Sequence, residues 1–229
     1  MPDFLSKALA KSSAIIRLLV PNGEKKPDME WSLYDARGRR KYLVPKERWA
    51  FLNEAQEIGG EVASFCATLA FTGARLNEVL SLTSEQIDEI NGTVNIETLK
   101  RRERGIIRAV PVPRKLFDLL DQVHGFRRAK ADLKHARTRL WKFSDTTGWR
   151  RVREVMAAAS VPSYLAKPKS LRHGFGAAAT LQNVSLTLIQ KWMGHARIET
   201  TMIYTSLVGK EERALASATW KGAANGFGK

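Results

Sequence analysis

Cysteine is almost missing: Cys66 is the single one in 229 residues, which excludes an internal disulfide framework and any zinc module built on thiolates. The four histidines, at 124, 135, 173 and 195, lack close metal-ligand partners, and no carboxylate cluster offers a cage for Mg²⁺. Long apolar runs are also missing. Near the start the longest, 14–20, is short and broken by Arg17, so neither a secretory core nor a membrane span is expected. There is no glycine-rich phosphate loop ending in Lys-Ser/Thr, no G-x-G-x-x-G after a strand and no H-E-x-x-H. Acids are the last deficit: 23 Asp+Glu face 38 Lys+Arg, a net charge of +15. With 44% hydrophobic and 8% aromatic residues the chain can build a core, so it is not a disordered basic tail. A folded chain of this charge points to a polyanionic partner, nucleic acid first. Its length fits one domain with a small appendage.

Hydrophobic spacing organises the chain. Residues 1–20 read as a short amphipathic helix, closed by Pro21-Asn22-Gly23 and followed by a charged linker. The basic run 37–41 reads as irregular. Pro45 can open a helix with Trp49, Phe51 and Leu52 on its apolar face, 61–71 reads as a fully buried helix, and Gly73 stops it before a second helical segment, 75–82. Segments 93–98 and 106–112 flank the charged turn 100–105 as a β-hairpin. Helical patterns return at 115–123, 171–182, 185–193 (stopped by Gly194), 198–207 and 211–220. The fold class is therefore α+β, a mainly α-helical domain with a small antiparallel hairpin.

Between 127 and 153 ten Lys/Arg meet only Asp132 and Asp145, with Trp141, Phe143 and Trp149 interleaved. A solvated helix face mixes signs, so this stretch reads as a surface for a nucleic-acid backbone, with Trp141 and Phe143 as core anchors. Chemistry on nucleic acid without a metal site needs a protein nucleophile, cations around a phosphate and a proton donor for the leaving oxygen.

Residues 169–204 contain such a set. They read K-S-L-R-H-G-F, then G-H-A-R-I-E-T-T-M-I-Y-T from Gly194. This resembles the signature of the tyrosine recombinase (phage integrase) family: H-x-L-R-H-x-F, then L-G-H, and a nucleophilic tyrosine nine residues on. A second block, A-F-T-G-A-R-L-N-E-V-L-S-L over 70–82, is similar to the family's T-G-x-R-x-x-E-x-x-x-L, and Thr98-Leu99-Lys100 sits where the family keeps a lysine. The resemblance covers about 40–210.

It implies Arg75 and Arg172 as two clamps on the scissile phosphate, their planar forks suited to bidentate contact. It implies Lys100 as the acid that protonates the departing 5′-oxygen, His195 as a hydrogen-bond partner of the phosphate, and Tyr204 as the nucleophile that forms a 3′-phosphotyrosine. Neither cofactor nor ATP is required by that chemistry. Lys169 stands where the family most often has His; it acts either as the base for the tyrosine proton, if neutral, or as one more cation on the phosphate. His173 reads as structural, buttressing Arg172. Arg101, Arg102, Arg104, Arg127, Arg128, Lys142, Arg150 and Arg151 are the expected contacts to the DNA backbone.

Three segments follow from the resemblance: a short N-terminal helix and linker (1–40) read as the remnant of a preceding DNA-binding domain, a catalytic domain (41–210) and a tail (211–229) for docking on a neighbouring protomer. The implied partner is double-stranded DNA, bound as a homotetramer, with a monomer or weak oligomer in its absence. The implied setting is the bacterial cytoplasm, at the nucleoid, on a phage or plasmid. A nicking-closing enzyme of the type IB topoisomerase kind, or an impaired DNA-binding relative, are the alternatives.

Overall fold

A computed structural model describes residues 32–99 and 105–210. The expected helix in 1–20, the turn 100–104 and the expected helix 211–220 lie outside the described residues. The chain divides into two units, Met1–Ser32 and Leu33–Lys229, and every element below belongs to the second.

The basic run at 37–41 is a tight turn, organised by the Asp35 carboxylate, which accepts the N–H groups of Arg37 and Arg39 at 2.9 Å each. Helix α1 (Pro45–Ile58) opens with proline at its first position, where no N–H is missed. It buries Phe51 and Ala55, but Trp49 is 67% exposed. At 100° per residue, Trp49 lies about 200° from Phe51 and so cannot share its face. Helix α2 (Gly60–Thr72) is buried from Ala63 to Ala70 and packs on α1, α4 and α8, as its apolar sequence demands. It stops at Gly73, in the left-handed region at φ 61°, and α3 (Leu76–Leu80) starts three residues later.

After a 3₁₀ turn (Ser84–Gln86) come three antiparallel strands in the order β1 (Ile87–Asp88), β2 (Thr93–Glu97) and β3 (Ile107–Pro111). In the expected hairpin Val94 pairs with Val110 and Ile96 with Arg108. Alternation puts Val94 and Ile96 of β2, and Arg108 and Val110 of β3, on the buried side. An arginine at an inward strand position has to find partners, and it does so in the site described below.

Helices α4 (Arg114–His124), α5 (Phe126–Ala129) and α6 (Leu133–Ala136) lead to α7 (Asp145–Ala158), capped by the Ser144 hydroxyl. Trp141 and Phe143 are core anchors: Trp141 is fully buried, donates to the Ser64 hydroxyl at 3.0 Å and meets Phe65 edge-on, as Phe143 does. Trp149 faces outward beneath the Arg153 guanidinium.

Helix α8 (Pro168–Leu181) is followed by α9 (Leu186–Met193), which ends at Gly194, and by α10 (Glu199–Met202). The pattern at 198–207 predicts one continuous helix, but it tightens into a 3₁₀ segment over Ile203–Lys210. There the Thr205 and Ser206 hydroxyls donate to the carbonyls three residues back, at 2.7 and 2.8 Å, competing with the α-helical ladder. This segment packs on α8, and Tyr204 joins a small second core with Leu33, Ala177, Ile189 and Met193.

Candidate active site

Four elements converge on one group of polar side chains. Gly73 turns the chain so that Arg75 becomes the residue capping α3. From there its backbone N–H and its Nη1 donate to the Glu78 carboxylate at 2.9 and 2.8 Å. Glu78 is 1% exposed, and its Oε2 also accepts Nη2 of Arg108 at 2.5 Å. Burial alone would raise the carboxyl's pKa. The charge and hydrogen bond of Arg108, then those of Arg75, more than offset that and hold it below the usual carboxylate range.

Arg108 completes a staple. Its Nε donates to the Trp192 carbonyl at 2.8 Å and its Nη1 to the Thr98 hydroxyl at 2.9 Å. The side chain thus joins α3, the end of β2 and the last turn of α9. It fits because Gly194 follows that turn: a Cβ there would stand 2.9 Å from Arg108 Nη1.

Arg172 projects from the first half of α8 and donates to two helix-end carbonyls, Gly73 at 2.7 Å and Met193 at 2.6 Å. These are the carbonyls orphaned at the ends of α2 and α9, with their partial negative charge. Burial, then the charge of Arg75, lowers the pKa of the Arg172 guanidinium. Arg75 and Arg108 therefore share one carboxylate, while Arg172 has only backbone carbonyls, so the site keeps an excess of positive charge suited to an anion.

His195 follows Gly194 and is buried, with Nδ1 2.9 Å from the Thr201 hydroxyl. Burial first, then the charges of Arg172 and Arg75, push its pKa down to about 3. The ring is neutral at physiological pH. Tyr204 is fully buried, and its hydroxyl lies 3.1 Å from Nδ1 of His173. Its ring presses on α8 at Gly176, where a Cβ would stand 2.3 Å from Cζ, so only glycine fits. Burial raises the phenol's pKa and Arg172 pulls it back in part.

Arg75, Arg172, His195 and Tyr204 thus lie together in the fold. Lys100, Arg101, Arg102 and Arg104 lie outside the described residues; beyond the β2–β3 pairs, Thr98 N–H donates to the Ile106 carbonyl at 2.9 Å. Lys169 is exposed on the first turn of α8. His173, expected to buttress Arg172, instead meets the Tyr204 hydroxyl. Glu78 was visible only as a motif letter. Arg108 was missed, and the signal for it was its place in an alternating strand beside Val110.

The expected backbone surface is paired in part. Arg127 is bound by Glu89, Asp118 and Asp121 at 2.7–3.0 Å, and Arg150 and Arg151 share Glu154 at 3.7 and 2.9 Å. Arg128 and Lys142 are exposed and make no ion pair among the described residues. Also among the described residues, no group of three or more His, Cys, Asp or Glu could hold a metal ion, and no helix is long and apolar enough to cross a membrane.

The phage integrase family model matches residues 41–211. Tyrosine recombinase XerA of Pyrococcus furiosus is 28% identical over 145 residues, 61% of this chain and 48% of that protein. XerD of Yersinia pestis is 25% identical over 150 residues, 63% of this chain and 49% of its own. A resolvase of Escherichia coli is 28% identical over 193 residues, 73% of this chain and 74% of that one. The chain spans about half the length of the XerA and XerD relatives. Among solved structures, XerA recombinase superposes with a TM-score of 0.62 at 22% identity, covering 78% of this chain and 64% of that one. The catalytic domain of bacteriophage HP1 integrase gives 0.54 at 21%, covering 72% and 87%. These likenesses show the fold.

Proposed function

The chain belongs to the phage integrase family, and from that premise we propose that it is a site-specific DNA recombinase that cuts and rejoins strands through a 3′-phosphotyrosine. The observation that carries this reading is the arginine cluster: Arg75 and Arg108 on one carboxylate and Arg172 on two helix-end carbonyls, with the Tyr204 hydroxyl and the His195 ring beside them. Arg75 and Arg172 grip the scissile phosphate and stabilise the charge that builds in its five-coordinate transition state. His195, its Nδ1 held 2.9 Å from the Thr201 hydroxyl, hydrogen-bonds the same phosphate. Tyr204 attacks, and Lys100 protonates the 5′-oxygen as it leaves. The phosphotyrosine bond keeps the energy of the broken diester, so religation needs no nucleotide.

Arg128, Lys142, Arg150 and Arg151, with Arg101, Arg102 and Arg104 of the hairpin turn, hold the duplex by its phosphates. Two duplexes are brought together in a homotetramer, with 211–229 docking on the adjacent protomer. The enzyme works on cytoplasmic DNA at the nucleoid, in keeping with an origin on a bacterial mobile element.

The test is to incubate the protein with a pool of nicked duplexes carrying a randomised core. Adducts that survive denaturant are recovered and their DNA is sequenced. The expected result is an adduct that vanishes in Tyr204→Phe. Binding without any adduct overturns the proposal, and relaxation of supercoils without strand exchange on the recovered site would turn it toward a nicking-closing enzyme.

A further inference from the structure

We propose that His173 takes the proton from the Tyr204 hydroxyl as it attacks the phosphate, in place of Lys169, one turn earlier on the same helix. This rests on the reading of Tyr204 as the nucleophile. Nδ1 of His173 is the ring nitrogen 3.1 Å from Tyr204 Oη, and the two rings face each other at 6.2 Å with a tilt of 58°. The contact is held from both sides: His173 is fixed on α8 next to the anchored Arg172, and the phenol ring is fixed on the same helix by Gly176. A general base must lie within hydrogen-bond reach of the proton it removes. Lys169 is exposed and its ammonium makes no bond to that hydroxyl.

The electrostatic surroundings agree with this geometry. Burial, then the charges of Lys169, Arg172, Lys41 and Lys167, push the His173 pKa down to about 4. Among the described residues, the titratable Tyr204 and His195 also face it. In the resting site, therefore, the imidazole is unprotonated and the proton stays on the phenol, whose own pKa is raised by burial. A phosphodiester entering between Arg75 and Arg172 brings a negative charge that offsets those cations, so the proton affinity of the imidazole rises when substrate is bound.

In the step itself the Tyr204 O–H bond breaks and its proton passes to Nδ1, which requires the neutral ring to carry hydrogen on Nε2. The Oη–P bond forms, the bond from phosphorus to the 5′-oxygen breaks, and that oxygen takes its proton from Lys100. Religation reverses each transfer, the imidazolium returning its proton to the tyrosine.

Three measurements test this on the full chain. In protein labelled with ¹⁵N-histidine, His173 should show an unprotonated, hydrogen-bonded Nδ1 at pH 7 whose resonance moves in Tyr204→Phe; a protonated Nδ1 overturns the inference without any DNA. On the duplex recovered in the covalent assay, His173→Asn keeps an acceptor near Nδ1 but removes its basicity. It should slow single-turnover adduct formation by about 10²–10³-fold at pH 7, with DNA affinity unchanged, whereas Lys169→Ala should cost less than tenfold. A duplex whose bridging 5′-oxygen is sulfur, a leaving group that needs no acid, should rescue Lys100→Ala and leave His173→Asn slow.

Near-normal or faster cleavage by His173→Asn, an equal loss in Lys169→Ala, or rescue of His173→Asn by sulfur each overturns the inference while leaving the nucleophile in place. A wild-type protein that binds DNA but forms no Tyr204-dependent adduct overturns the functional reading and this step with it.

Discussion

Two regions of this molecule are rich in arginine, and they use it in opposite ways. In the site, Arg75, Arg108 and Arg172 draw on one carboxylate, Glu78, and on backbone carbonyls at the ends of α2 and α9. Carbonyls satisfy N–H groups without cancelling charge, so the cluster stays cationic. Along α5–α7 the relation is reversed. There Arg127 alone holds three carboxylates, Arg137 has Glu85, and Arg150 and Arg151 divide Glu154. The first region stores positive charge in a dry setting, where it acts strongly on an incoming phosphate. The second commits four of its ten cations to the protein's own carboxylates. Arginine density along a sequence is therefore a poor guide to free charge; what matters is which acids the fold brings to it.

The strongest way to break the comparison is to remove the guanidinium that makes the buried half possible. Arg108→Met leaves Glu78 buried with only Arg75 beside it, at a cost of about 3–5 kcal/mol. Calorimetry should show the melting temperature falling by roughly 10 °C. Combining it with Glu78→Leu should recover much of that stability, because a paired buried charge is removed as a unit. Covalent adduct formation should not recover, because Arg75 then loses the carboxylate that aims it. A double variant as active as wild type would show that the staple serves stability alone.

Next in size is the contrast between one arginine from each region. Arg75→Ala should lower the rate of adduct formation by about 10²–10³-fold, the usual loss for one donor aimed at a developing oxyanion, with little change in DNA affinity. Arg127→Ala should leave the cleavage rate within about twofold, as a charge already matched by carboxylates has little left to give. Equal losses in the two variants would erase the distinction.

How much of this was legible in the sequence differs between the regions for the same reason. The site rests on short-range signals. Gly73 two residues before Arg75, Gly194 beside His195, and an arginine inside an apolar helix are features of neighbouring residues, and both glycines end their helices in the left-handed region as the sequence predicts. The hairpin followed from its alternation. Arg108 escaped because its partner Glu78 is 30 residues away and on another element. The pairing of Arg127 escaped likewise, since Glu89 lies 38 residues back across the sheet. The misplaced Trp49 and the 3₁₀ tightening after Met202 were local. Helical phase and hydroxyl competition for carbonyls explain them, and a stricter count of both would have found them.

The buried imidazoles separate the regions in a third way. In the site His173 and His195 have folded pKa values of about 4 and about 3, and His124 at the end of α4 is pushed by burial to about 4, all below the ordinary value of 6.5. As pH falls below 6.5 the unfolded chain therefore takes up protons before the folded one does. Stability that is fully present above pH 6.5 should be lost as pH falls toward 4, by about 1.4 kcal/mol per pH unit for each imidazole. His135, in the other region, is exposed and lies 2.6 Å from Asp132. Urea denaturation at pH 7, 6 and 5 should show the slope, and His173→Asn should lower it by about a third, since three imidazoles contribute. A stability independent of pH across this range would mean that the imidazoles are not buried neutral.

The smallest expected effect sharpens the comparison most, because it asks whether spent charge can be recovered. Glu89→Gln combined with Asp118→Asn leaves Arg127 with Asp121 as its one remaining carboxylate and makes that surface more positive by two charges. If the duplex runs along α5–α7, the freed guanidinium should take a phosphate. The plot of log affinity against log salt should then steepen by about one, and binding should tighten at low ionic strength while the cleavage rate stays fixed. The same two substitutions placed with Arg127→Ala should cancel the gain, which ties the effect to that side chain. An unchanged salt slope would place the duplex elsewhere, and the excess charge that draws DNA would then belong to the site and the hairpin rather than to the run of arginines that first called attention to it.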